Sequence, residues 1–178
     1  FDRRDADVSV IWNPSGATRL EARLSSTQVD YDQDPARDIS GATGSLTWDF
    51  APTGRTNFTT TLFRDTGAAA TFQQLGTAGG GSLADSSQLS TGLRFGVNYA
   101  LTAKIAATVN LGYQNRDYAG SLGGSEDITN LGLGLNWEAT RAVTVGCSIA
   151  QENRDSTTPL SFSYRATTTL CTARVLLR

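Results

Sequence analysis

Thr129-Asn130-Leu131-Gly132-Leu133-Gly134-Leu135-Asn136-Trp137-Glu138 decides the fold class. Its odd positions carry Leu131, Leu133, Leu135 and Trp137, and its even positions carry Asn130, Gly132, Gly134, Asn136 and Glu138. Successive side chains of a strand point to opposite faces, so a strand sorts this run into one apolar and one polar face. A helix would spread the leucines around its circumference. The same period continues outward. Val143, Val145, Cys147 and Ile149 alternate with Thr144, Gly146, Ser148 and Ala150. Ile105, Ala107, Val109, Leu111 and Tyr113 alternate with Lys104, Ala106, Thr108, Asn110, Gly112 and Gln114. Leu93, Phe95, Val97, Tyr99 and Leu101 alternate with Arg94, Gly96 and Asn98.

The first third repeats the pattern with less contrast. Val8, Val10 and Trp12, then Leu20, Ala22 and Leu24, then Leu46, Trp48 and Phe50, then Phe58, Thr60 and Leu62 form the apolar sets. A last strand over about 162–177 sets Cys171, Ala173, Val175 and Leu177 against Thr172 and Arg174, with Leu170 and Leu176 on the less expected side. The chain thus reads as about nine strands, most near the ~9–11 residues that cross a bilayer when tilted.

Composition fits this reading. Only 39% of the 178 residues are hydrophobic, and no apolar run approaches the ~18 residues of a spanning helix. A barrel strand turns every second residue to lipid, so its average hydropathy stays near neutral. Histidine is absent, which removes Ser-His-Asp and Cys-His catalysis and His-ligated zinc from this chain. Two cysteines are too few for a structural zinc cluster. A net charge of −2 offers no footprint for nucleic acid. No cofactor or metal is expected.

The connections alternate in length. Asn13-Pro14-Ser15-Gly16, Ala51-Pro52-Thr53-Gly54, the residues around Thr102, and Glu138-Ala139-Thr140-Arg141 are tight. Those at about 29–38, 66–89, 115–127 and 153–161 read as extended loops. Short turns at one end and long loops at the other characterise outer-membrane barrels. An aromatic residue on the apolar set precedes each tight turn, namely Trp12, Trp48, Tyr99 and Trp137. These four are the expected aromatic girdle at headgroup depth. A soluble sandwich would have a more heavily charged polar face and no reason to segregate its loops. The fold expected is all-β, an antiparallel up-and-down transmembrane β-barrel, with 1–178 one barrel segment in the bacterial outer membrane. The first strand descends into a tight turn and the strand count is odd, so further strands are expected upstream of Phe1. The charged start Phe1-Asp2-Arg3-Arg4-Asp5 has no apolar signal core.

The polar set then lines the lumen. Arg19, Arg23, Arg94, Lys104, Asn98, Asn110, Asn130, Asn136 and Arg174 are its candidate site residues. Arginine rings favour anions, and amides suit sugar hydroxyls. The alternative is a neutralised ladder, such as Arg19 or Arg23 with Glu21 or Asp49. Gly96, Gly112, Gly132, Gly134 and Gly146 share this face, either making room for neighbouring side chains or keeping the bore open. Cys147 and Cys171 stand symmetrically about Pro159 on consecutive strands. An unbulged register opposes them within disulfide range, and two separate apolar residues facing lipid are the alternative.

Phe63-Arg64-Asp65, Asn115-Arg116-Asp117-Tyr118 and Asn153-Arg154-Asp155 recur where the ascending strands end. They read as a salt-bridged rim, or as a surface for lipopolysaccharide and its bridging cations. The Asn115-Arg116-Asp117-Tyr118 motif, Trp48 and Trp137 before their turns, and the 131–135 run resemble the β-barrel porins of exopolysaccharide biosynthesis operons. The likeness extends over the whole segment. It implies a long outer-membrane barrel, inserted by the assembly machinery among lipids and lipopolysaccharide, that serves polysaccharide secretion. The ending Val175-Leu176-Leu177-Arg178 departs from the terminal aromatic of such barrels.

The leading function is a pore for a polar solute, polysaccharide or small anions, and not an enzyme. A structural or surface-binding barrel with a filled lumen is the alternative. An outer-membrane enzyme and a soluble β-domain are weaker readings.

Overall fold

The computed structural model describes residues 2–30, 39–74, 81–119, 123–158 and 161–176. They form nine antiparallel strands: β1 (Asp2–Ser15), β2 (Thr18–Asp30), β3 (Ile39–Thr53), β4 (Thr56–Gln74), β5 (Gly81–Ala100), β6 (Ile105–Ala119), β7 (Gly124–Glu138), β8 (Val143–Ser156) and β9 (Tyr164–Val175). Each strand bonds to its neighbours in chain order, giving one up-and-down sheet from β1 to β9. No described helix is long and apolar enough to cross a membrane.

Register carries the alternation across strands. Phe50, Phe58, Val97, Val109, Leu133 and Ile149 form one continuous cross-strand row. On the opposite face Arg19, Asp49, Thr59, Gly96, Asn110, Gly132 and Ala150 form another. A slip of one residue at any pairing would mix the two sets. The apolar face has no protein cover: Trp12 is 60% exposed and Leu62 48%. Its extent far exceeds the patches soluble monomers leave bare. Among the described residues, the large side chain that is fully buried is a carboxylate, Glu126. The sheet is inverted relative to a water-soluble domain, with its large apolar side chains bare and the Glu126 carboxylate enclosed.

Two tight turns use Pro and Gly differently from a simple Pro-x-Gly turn. Ser15 pairs with Thr18 and Thr53 with Thr56, each after a register shift following Trp12 or Phe50. The turn residues are therefore Gly16-Ala17 and Gly54-Arg55. Pro14 and Pro52 sit at the irregularity, where a missing N–H costs no ladder bond. The other two turns are built on threonine. Thr102 Oγ1 accepts from the amides of Lys104 and Ile105 at 3.1 and 3.0 Å. Thr140 Oγ1 accepts likewise from Ala142 and Val143 at 3.2 and 3.1 Å.

Two of the long connections, 66–89 and 115–127, are shorter than their sequence implies, and 31–38 lies outside the described residues. β4 and β5 remain paired from Thr56↔Tyr99 to Gln74↔Gly81, so most of 66–89 is strand and not loop. β6 and β7 likewise extend through Tyr118↔Gly124. Periodicity vanishes there because both faces leave the bilayer, whereas the backbone ladder needs no apolar face to continue. At 19 and 20 residues, β4 and β5 have about twice the length needed to span.

Candidate functional site

The polar face encloses a concavity of about 540 Å³ lined from β2 to β6. Glycines shape the polar face beside it. A Cβ on Gly112 would lie 2.3 Å from Asn130 Oδ1, one on Gly146 2.5 Å from Asn136 Oδ1, and one on Gly134 2.4 Å from Thr108 Oγ1. Each glycine is the direct cross-strand partner of the side chain covering it. The glycines thus let amide and hydroxyl side chains lie flat on the wall. Asn98, Asn110, Asn130 and Asn136 are exposed, and their amides bond to no other group among the described residues.

The arginines divide into two kinds. Arg19 pairs with Glu21 at 2.9 Å and Arg23 with Asp7 at 3.1 Å. Asp49 accepts from Thr59 Oγ1 at 2.7 Å and is not the partner of either arginine. The ladder reading thus describes the β1–β2 side. Arg94 differs: its guanidinium lies 4.5 Å over the Phe63 ring and has no carboxylate partner among the described residues. Arg174 is exposed and also has none. Lys104 belongs elsewhere, because it lies in the turn between β5 and β6 instead of on a strand. The ladder ends at Ala100↔Ala106, and the threonine-capped turn takes over from there.

Phe63 is held in place by its neighbour. Gly92 faces it across the β4–β5 ladder, and a Cβ there would meet Phe63 Cζ at 2.6 Å and the Tyr113 carbonyl oxygen at 2.7 Å. The carbonyl belongs to the β6 backbone and cannot swing away. Gly92→Val is expected to destabilise the sheet by about 1–3 kcal/mol through overpacking. The temperature at which the folded band converts on a gel should fall, and an unchanged temperature would refute the crowding argument.

A second cluster closes the far end of the polar face. Glu126 binds Arg154, lies 3.3 Å from Arg116, and accepts from Tyr118 Oη at 3.2 Å and Ser161 Oγ at 2.9 Å. Arg154 also lies over the Tyr164 ring, whose hydroxyl donates to Glu152. Arg116 and Arg154 come from two of the recurring Asn-Arg-Asp motifs. Strand parity turns these arginines inward and leaves Asp117 and Asp155 outward. On the outer side Asp127 accepts from Tyr113 Oη at 2.7 Å and Asn115 Nδ2 at 3.1 Å, and Arg165 Nε donates to Asn153 Oδ1 at 2.8 Å. Sequence reasoning did not single out Glu126 or Ser161. The motif parity was the available signal for Glu126, since it stands directly opposite Arg116. Ser161 had none, because it lies outside the strands and parity does not place it.

Trp12, Trp48, Tyr99 and Trp137 all lie on the apolar face toward the tight-turn end, and all are substantially exposed. Beside them Trp48, Phe50, Phe58 and Phe95 stack in sequence at 5.7, 6.2 and 6.3 Å between ring centroids. Cys147 and Cys171 are direct cross-strand partners, and a disulfide joins them on the same face. No group of acidic, His or Cys residues among the described residues is arranged to hold a metal ion.

The family described as "Putative beta-barrel porin 2" matches residues 27–176. The chain belongs to that family. Among solved structures this porin-family chain is similar to in-vitro folded OmpT, an outer membrane protein of Vibrio cholerae, with 11% identity and a TM-score of 0.59. That match covers 97% of this chain and 55% of OmpT. The OmpT variant lacking loop L8 is similar at 12% identity and a TM-score of 0.56, with 97% and 53% covered. At such identity the likeness shows the fold alone, and the porin-family chain spans about half the length of the proteins it matches. No curated protein matches it. Family and fold together place the chain in the bacterial outer membrane as β-barrel strands.

Proposed function

We propose that the protein is a non-enzymatic pore that passes polar solutes, with polysaccharide or small anions as its cargo. The observation that carries this reading is the open polar wall: four exposed asparagines and two arginines whose hydrogen-bonding groups find no partner among the described residues. A wall built only to fill and stiffen a barrel would consume those groups internally. Amides laid flat over glycines present donors and acceptors to sugar hydroxyls without narrowing the passage. Unpaired guanidinium groups favour anions. The porin family description supports transport over catalysis. Trp12, Trp48, Tyr99 and Trp137 serve as the girdle at the turn end, among outer-membrane lipids and lipopolysaccharide.

Stepwise current increments are expected when the intact protein is added to planar lipid bilayers. A folded, inserted protein that stays electrically silent would reject the pore. It would favour the second reading, a surface barrel with a closed lumen. That reading draws on one observation, the seating of Ser161 on Glu126 and of Thr157 on Ser125 at the rim.

A further inference from the structure

We propose that Arg94, seated on Phe63, is a binding station for an oxyanion carried on a solute in the lumen. The inference rests on the pore reading and names the charge that its wall selects. Arg19 and Arg23 each pair with a carboxylate of their own, and Arg116 and Arg154 share Glu126. Arg94 lines the concavity with no carboxylate partner among the described residues.

The local packing holds Arg94 ready. The guanidinium carbon lies over the Phe63 ring, 4.5 Å from its centre, and Phe63 in turn occupies the notch above Gly92. The ring supports the group from one side, and its N–H edge bonds to no described residue. That edge matches a carboxylate, sulfate or phosphate through paired charge-assisted hydrogen bonds. The cation–π contact also holds the side chain without neutralising it.

The surroundings match an anion joined to hydroxyl groups. Ser45, Thr61, Ser90 and Gln114 line the same concavity. Thr61 is the direct cross-strand partner of Arg94 on one side, and on the other the row continues through Gly112 to Asn130. Strands stand about 4.8 Å apart, so the hydroxyl-bearing position lies one spacing from that of Arg94 and the amide-bearing position two spacings away on the other side. Asp65 also lines the concavity, and it is exposed and bonded to no arginine.

The source of the oxyanion is either a free small anion or an acidic sugar in a chain, and equilibrium binding separates them without requiring conductance. The intact protein in detergent is titrated calorimetrically with inorganic phosphate, with a galacturonic acid hexamer and with a neutral maltohexaose. The acidic hexamer should bind, and Arg94→Gln should weaken it about tenfold, the worth of a charge-assisted hydrogen bond. Arg94→Lys should keep part of the affinity, because it retains the charge and loses the fork. Phe63→Ala should weaken binding, with Phe63→Tyr restoring it. Arg141→Gln, an equal charge change in a turn, should have no effect. Phosphate binding that is also lost in Arg94→Gln would show that a small oxyanion suffices. Binding of the acidic hexamer alone would identify an acidic polysaccharide chain. Should Arg94→Gln fail to fold, Arg94→Lys and Phe63→Ala decide. Absence of binding by both anions, equal binding of maltohexaose, or affinities unmoved by these substitutions would overturn the station. The pore reading falls separately, on electrical silence.

Discussion

Glu126→Ala is expected to cost about 3 kcal/mol of stability, the lower end of what removing one partner from a buried charge cluster costs. The carboxylate is fully buried, while the Arg116 and Arg154 side chains remain 30% and 27% exposed. Removing Glu126 leaves two like charges facing one vacancy, with Arg116 Nε already buried and lacking an acceptor. Water can reach the two guanidinium groups from their exposed sides, which is why the loss should fall short of the figure for a sealed interior. Glu126→Gln keeps the shape and the possible contact with Ser161, so it should cost less than alanine. The difference isolates the charge. Because Ser161 donates to Glu126, the segment after β8 should also become more susceptible to protease in the alanine variant. The checks are urea unfolding in lipid or detergent and limited proteolysis. An alanine variant that unfolds and resists cleavage as the parent does would remove the cluster from any structural role.

Breaking the Cys147–Cys171 bond is expected to have an effect of similar size. The bond closes a segment with a sequence separation of 24, and the chain-entropy account assigns such a loop about 3 kcal/mol. The paired register supports it independently of the bond itself. Cys147 opposes Cys171 within an unbroken ladder from Val143↔Val175 to Arg154↔Tyr164. The barrel passes through an oxidising compartment on its way to the membrane. Alkylation of the unfolded, unreduced protein should modify no thiol, and prior reduction should expose both. The reduced protein, and a Cys147→Ser/Cys171→Ser variant, should then unfold at correspondingly lower urea. Two freely alkylated thiols without reductant would end the argument.

The charged residues mark where sequence legibility stopped. Arg19 and Arg23 were legible as inward-facing, and Glu21 and Asp49 were the candidate partners. Arg19 does take Glu21, but Arg23 takes Asp7 and Asp49 takes Thr59. Several acceptors lie within reach of a long arginine, so parity narrows the choice without making it. Arg94 and Arg174 could not be told apart from the paired arginines, because being unpaired depends on every neighbour. The extent of β4 and β5 was hidden for a related reason: outside the bilayer a ladder needs only backbone groups, which every residue but proline supplies.

By itself the sequence determined the nine strands, their direction, the four tight turns and the division into an apolar and a polar face. These properties follow from a period of two and local turn chemistry, both of which a chain carries in the order of its residues. The tertiary structure decided which glycine lies beneath which amide, which arginines find a carboxylate among the described residues, and that two distant Asn-Arg-Asp motifs converge on Glu126. Those outcomes are distances between side chains on different strands, and register and rotamer set them only once the sheet has formed.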